Sequence, residues 1–286
     1  MAGRAVSDPL DAVSPASPAS SVPSASFDPY AMWRDALAGA DRVFASPPAL
    51  DRPVDGCTYC TPESELLLLG GDPAAVPDDV LGHFMRETAS HWDEDQYPVL
   101  WRRLIPRALR SWGPDGQYTD PSLEIGHLGD DGAGLAGWPT PERAAVERAF
   151  RALLAVALVD GRPAEKVTDL VEGVAHATGD LLPWLDHLAA LPGPAADAGL
   201  VRLAFAWATD LLWEDFRFWW WYDGDPGVVV AWLPTQRPRV AAFAARYPRC
   251  KTASDTLTAI DRLAAGDHSP WAYPYGMQDY LGQVTS

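Results

Sequence analysis

Two cysteines three positions apart carry the sharpest chemistry in this chain. They stand in "DGCTYCTPESELLLL", residues 55–69, as Cys57 and Cys60. Two thiolates at this spacing can reach one tetrahedral ion, which is half of a zinc knuckle. A complete site needs two more ligands. Cys250, His83, His91 and His127 are available, but none forms a second close pair. The same spacing serves thiol–disulfide chemistry, because a helix starting just after the cysteines favours the thiolate. A thioredoxin-like site follows a buried strand, however, and "SPPALDRPVDG" with its three prolines cannot be one. The third reading is structural, two small apolar residues near a turn. All three stay open, with Cys57 and Cys60 as the metal candidates and zinc, or no cofactor, as the complement.

Three further groupings bear on function. His83, Glu87 and His91 recur every fourth residue, which on one helix forms a stripe that can hold a metal or simply face water. Arg102, Arg103, Arg107 and Arg110 crowd another predicted helix. Their guanidinium forks can seize a carboxylate or phosphate, or pair with Asp93, Glu94 and Asp95 just upstream. "WATDLLWEDFRFWWWYDGD" holds five of the thirteen tryptophans, with Asp210, Glu214, Asp215, Asp223 and Asp225. Aromatic platforms beside paired carboxylates suit a glycosidase, but large aromatics more often fill gaps between packed helices. No glycine-rich phosphate loop, G-x-S-x-G elbow or D-D-x-x-D metal pattern is present.

The elements that must position these residues are helical. Apolar side chains recur at three- and four-residue steps in "PDDVLGHFMRETASHW", "YPVLWRRLIPRALRSW" and "TPERAAVERAFRALLAVALVDG". Asp28–Pro29, Thr61–Pro62 and Thr140–Pro141 read as helix starts, and Gly161 and Gly179 as stops. Pro106 inside its helix removes one backbone bond and should kink the axis. Residues 199–221 read as the longest and most apolar helix, and "GVVVAWL" as the one β-branched run, a strand or the entry to another helix. Eight or nine helices make an all-α multi-helix array, either a globular packing or a HEAT/armadillo-like α-solenoid, although no fixed repeat period emerges. Residues 1–25, rich in Ala, Ser and Pro, read as a disordered tail, and 26–286 as a single helical domain. The glycine-rich stretch 113–138 reads as a long loop, folded over a groove or disordered.

"CTYCTPESE", then "HWDEDQYPVLWRRLIPRAL", then "AGWPTPE" opening a long helix resemble a family of uncharacterised bacterial proteins. Its marks are an N-terminal C-x-x-C, a Trp before an acidic turn, a helix with an F-L-P-R core and a "GW" near the next helix. The matching positions are Cys57, Cys60, Trp92, Pro106, Arg107, Gly137 and Trp138, over roughly residues 55–160. The resemblance implies an all-helical, repeat-like fold and brings no activity. This chain departs from it with Leu104 and Ile105 in place of Phe-Leu, Arg110 in place of an acid, and the long 113–138 loop.

Charge narrows the function further. The net charge of −17 argues against nucleic-acid or anionic-membrane binding, because phosphate recognition needs a basic surface. Three cysteines are too few and too odd for a disulfide scaffold, which points to a reducing, cytoplasmic setting. No run of eighteen apolar residues offers a membrane span. The expectation is a helical binding or scaffold protein acting through protein–protein contacts, without catalytic residues. Arg103, Arg107 and Trp138 line its binding surface, and an acidic helical protein suits a basic partner. The alternative is a metal- or thiol-dependent enzyme built on Cys57 and Cys60.

Overall fold

A computed structural model describes residues 27–116, 120–129, 131–213, 216–221 and 224–267. The expected tail at 1–25 lies outside these residues, as do Glu214, Asp215 and Asp223. The described residues form eleven α-helices and no strand, so the all-α expectation holds. The one extended pairing is an isolated antiparallel bridge between Gly56 and Trp92. No helix among the described residues is long and apolar enough to cross a membrane. Packing divides the chain into two compact units.

The first unit comprises Pro29–Leu191 and Arg217–Val228. Its helices are α1 (Pro29–Val43), α2 (Glu63–Gly70), α3 (Asp78–Arg86), α4 (Gln96–Trp112), α5 (Pro121–Gly126), α6 (Thr140–Val159), α7 (Ala164–Thr178) and α8 (Leu182–Ala190). The most extensive pairings, α1 with α6 and α5 with α7, skip sequence neighbours, so the stacked consecutive pairs of a solenoid gain no support. A chain of rings runs through the core. Trp92 meets Phe84 at 5.1 Å between centroids, Phe84 meets Trp101 at 5.0 Å, and Trp101 meets Trp112 at 6.2 Å. Phe150 on α6 and Trp184 on α8 continue it at 6.3 and 6.1 Å. Tilted and edge-on rings at these spacings add to the burial of large apolar area. α4 runs unbroken through Pro106.

The second unit gathers the described parts of Met1–Asp28, Pro192–Phe216 and Val229–Ser286. Here α9 (Pro194–Leu212), the greater part of α10 (Pro226–Arg246) and α11 (Lys251–Ala264) share a core of Val201, Val240, Phe243, Ala253 and Ile260. Arg239 with Asp197 at 2.7 Å and Arg237 with Asp261 at 2.6 Å tie these helices together at the surface. The β-branched run "GVVVAWL" is helical, inside α10.

Three sequence expectations change. α9 stops at Leu212, and residues 216–221 are irregular, with the N–H groups of Trp220 and Trp221 given to the Glu172 carboxylate instead of to a helix ladder. α3 ends at Arg86, where Glu87 turns extended, so His83, Glu87 and His91 do not share one helix. The 113–138 stretch is largely packed. Asp120 caps α5 by accepting from Leu123 N–H at 3.2 Å, and Ile125, Leu128, Ala133, Leu135 and Trp138 are buried. Residues 117–119 and 130 of that stretch lie outside the described set.

α5 can lie against α7 because Gly173 lacks a side chain. A Cβ there would sit 2.7 Å from the Pro121 carbonyl and 3.0 Å from the Ile125 Cβ. Gly173→Ala is therefore expected to destabilise the first unit by about 1–3 kcal/mol, the usual cost of overpacking against backbone that cannot yield. Denaturant melts of the variant and wild type measure it.

A second expectation comes from two half-buried histidines. His127 donates to the Met85 carbonyl at 2.9 Å and His187 to the Arg151 carbonyl at 2.8 Å, and burial pushes both rings below the usual imidazole range. Their folded forms bind fewer protons than the unfolded chain, so stability falls as pH drops below about 6.5. The fall between pH 7.5 and 6, above the range of ordinary carboxylates, should be shallower in His127→Gln and His187→Gln when melting temperatures are compared.

Candidate metal centre

The cysteine turn is held in place before any ion is considered. Cys57 N–H donates to the His91 carbonyl at 2.7 Å and Asp93 N–H to the Asp55 carbonyl at 3.2 Å, which draws the turn onto the segment after α3. Gly56 permits this approach. A Cβ there would meet Trp92 and Leu66 side chains at 3.2 Å and the His91 carbonyl at 3.3 Å. The Cys57 carbonyl accepts from the Cys60 and Thr61 N–H groups at 3.1 and 2.9 Å, closing the loop ahead of α2. The buried Gln96 at the start of α4 accepts from Asp55 N–H at 2.8 Å and donates to the Pro53 carbonyl at 3.0 Å. Tyr97 donates to the Glu87 carbonyl at 3.1 Å and fixes the end of α3.

This scaffold brings three unlike donors together. One ligand atom each from Cys60, Glu87 and His91 lies within 4.8 Å of the others, and all three residues are half-buried. His91 Nδ1 is hydrogen-bonded to Glu87 Oε2. Behind them, His83 reaches Glu87 Oε1 through Nε2 at 3.2 Å and Glu65 Oε2 through Nδ1 at 2.9 Å. Outer contacts of this kind orient a ligating carboxylate. Cys57 adjoins the group. Its sulfur accepts the backbone N–H groups of Cys60 and Tyr59 and the Cys60 thiol, and together these lower its pKa. Burial, followed by the bond and charge of Cys57, raises that of Cys60. Of the two thiols, Cys57 is therefore the one that gives up its proton first.

The other sequence candidates go elsewhere. Arg103 donates to the Pro48 and Gly71 carbonyls at 2.9 and 2.6 Å. Arg107 bonds the Pro73 and Val76 carbonyls and the Asp78 carboxylate. Arg102 forks onto Glu142 with two bonds of 2.6 Å, and Arg110 onto Asp41. Trp138 is buried, donating to the Ala133 carbonyl at 2.9 Å. Arg103, Arg107 and Trp138 thus each donate to the chain's own backbone, and Arg107 also to a carboxylate, while Arg103 Nε is buried without a partner. Cys250 packs against the core of the second unit, and His127 against α3. All three cysteines are free thiols. Glu87 stood out in the sequence only as part of a helical stripe; the break of α3 at that residue is what turns it towards the thiols.

Comparison with protein-family models, curated proteins and solved structures finds no match.

The two sulfurs should differ in reactivity. In metal-free protein, Cys57 is expected to be alkylated by iodoacetamide faster than Cys60 and Cys250 at pH 7. Its rate should rise at a lower pH than that of an ordinary thiol, near 8.5, and that of Cys60 at a higher one. Site-resolved mass spectrometry of labelled peptides reads the order.

Proposed function

We propose that this chain is a helical protein-binding module organised around a zinc centre, with Cys57, Cys60, Glu87 and His91 as the ligands. The observation that carries the reading is the convergence of a thiol from the cysteine turn with a carboxylate and an imidazole from the end of α3 and the segment after it, all within 4.8 Å, beside a second thiol. Thiolate and imidazole donors suit zinc, whereas magnesium and calcium prefer all-oxygen shells. Four protein ligands would fill a tetrahedron and leave no position for substrate, which favours a structural ion over a catalytic one. The ion would fasten the proline-rich connector to the end of α3.

What the centre would present is apolar. Tyr59, between the two cysteines, is 96% exposed, and Leu67 on α2 is 68% exposed. Apolar side chains standing in water on a rigid mount favour contact with another protein. The excess of acids elsewhere supports a basic partner through steered association. Free thiols and a zinc–thiolate site both suit the reducing cytoplasm. The enzyme alternative rests on Cys57, whose thiolate is favoured by the backbone N–H groups of Cys60 and Tyr59.

Protein purified without chelator should carry about one zinc per chain by elemental analysis, lost in Cys57→Ser and Cys60→Ser. With free zinc a hundredfold above its Kd, the fold should gain about 2.7 kcal/mol over chelated protein. Cobalt in its place should give the absorption of a tetrahedral thiolate site. Absence of bound zinc, with melting indifferent to added metal, would remove the zinc reading and leave Cys57 as a reactive thiol.

A further inference from the structure

A second constellation lies in the first unit and shares no residue with the cysteine centre. A cleft of about 300 Å³ is lined by Asp120, Ser122, Lys166, Asp169, Trp219 and Trp220. Trp219 is 63% exposed and Trp220 39% exposed, in a fold whose other tryptophans are mostly buried. Two adjacent indoles left in water are not a slack end of chain. Glu172, buried on α7, accepts the backbone N–H groups of Trp220 at 2.5 Å and Trp221 at 3.2 Å. Trp220 Nε1 donates to Asp120 Oδ2 at 3.0 Å. Asp120 is itself fixed, because its other oxygen accepts from Leu123 N–H and from the Ser122 hydroxyl at 2.7 Å. Phe218 packs on Trp221 at 5.6 Å from below.

Burying a carboxylate carries a desolvation penalty, and Glu172 bears it with its carboxyl held above the usual range by that burial. The return is a backbone that presents both indoles in one arrangement. Also lining the cleft, Lys166 Nζ stands 3.3 Å from Asp169 Oδ2. A donor and an acceptor so close together suit a ligand whose neighbouring groups both accept and donate. Vicinal hydroxyls do both, and the apolar C–H face of a pyranose fits an indole. The mixture also excludes other classes. Lys166 opposes a bare cation, and Asp120, Asp169 and Glu172 oppose a phosphate or other anion. One face of Trp219 is covered by the Arg217 guanidinium at 4.6 Å, which braces the ring.

We infer that this cleft binds a neutral saccharide, stacked on Trp219 and Trp220 and hydrogen-bonded by Lys166 and Asp169. This is a binding site and involves no bond cleavage. It goes beyond the zinc reading and does not depend on it.

The full-length protein should be titrated by calorimetry with a panel of neutral oligosaccharides: the hexamers of α-1,4-glucose, β-1,4-glucose and β-1,4-N-acetylglucosamine, and mannotriose. Choline and arginine amide serve as cationic probes. At least one saccharide is expected to bind with a Kd on the order of 1 mM or tighter, since exposed sugar sites rest on few contacts. Trp219→Ala and Lys166→Met should each weaken it about tenfold, the equivalent of 1.4 kcal/mol. Trp213→Ala, a partly exposed indole outside the cleft, should leave it unchanged. Circular-dichroism melts that match wild type keep the loss assigned to the cleft. Three results would each overturn the inference: no member of the panel binds, the cations bind in place of the sugars, or sugar binding persists in both cleft variants.

Discussion

Backbone carbonyls in the irregular connectors need donors, and α4 supplies them. Residues 45–62 and 71–77 hold Pro47, Pro48, Pro53, Pro62, Pro73 and Pro77, which contribute acceptors and no N–H groups. Neither connector has a ladder partner beyond the single bridge at Gly56. A half-buried carbonyl left without a donor costs free energy, so side chains must stand in for secondary structure. Gln96 serves Pro53, Arg103 serves Pro48 and Gly71, and Arg107 serves Pro73 and Val76. These residues lie on one helix at steps of seven and four, so one face of α4 supports both connectors. That face adds to the backbone bonds at Asp55 and Cys57 that hold the cysteine turn over Glu87 and His91.

The same dependence accounts for where the α4 arginines place their guanidinium groups. A guanidinium offers five donors in a rigid fork and recognises carbonyl and carboxylate oxygens of any origin. Sequence shows the fork but not the acceptor. The acids immediately upstream were one guess for the partners, yet Arg102 finds Glu142 and Arg110 finds Asp41, 40 and 69 residues away. Arg52, not an α4 residue, takes Asp93 at 2.7 Å. Pairings across that separation depend on which helices pack together, and no periodicity encodes that.

Much of the architecture was legible for a physical reason. Helix phase repeats locally, so α1, α4, α6 and α7 follow from apolar spacing and from proline and glycine at their ends; Gly179 does take the left-handed conformation at the end of α7. Breaks were harder to read. At Glu87 and after Leu212 the side-chain pattern continues in helical phase while the backbone leaves it. At each break the freed groups find a side-chain partner on another helix. Tyr97 takes the Glu87 carbonyl, and Glu172 takes the N–H groups of Trp220 and Trp221. Both candidate sites sit at these breaks. Cys57 and Cys60 were visible as a pair from spacing alone, but their companions were not, because His83, Glu87 and His91 fit a solvated helix flank equally well.

Two buried glutamates show how much a carboxylate's neighbours reveal about its purpose. Glu124 on α5 is fully buried, with Trp112 Nε1 donating to it at 3.1 Å and Arg86 facing it at 3.6 Å. Its charge is offset by a cation, and the indole it holds belongs to the ring chain of the core. Removing Arg86 would take the cation from a buried carboxylate, which makes the arrangement a matter of stability. Glu172 is as deeply placed but accepts from backbone N–H groups, and the indoles beyond that backbone stand in water. Folding alone gains little by fixing exposed rings, since their apolar area is not withdrawn from solvent. A buried charge that orders an exposed aromatic surface is therefore better explained by what that surface contacts than by what it holds together.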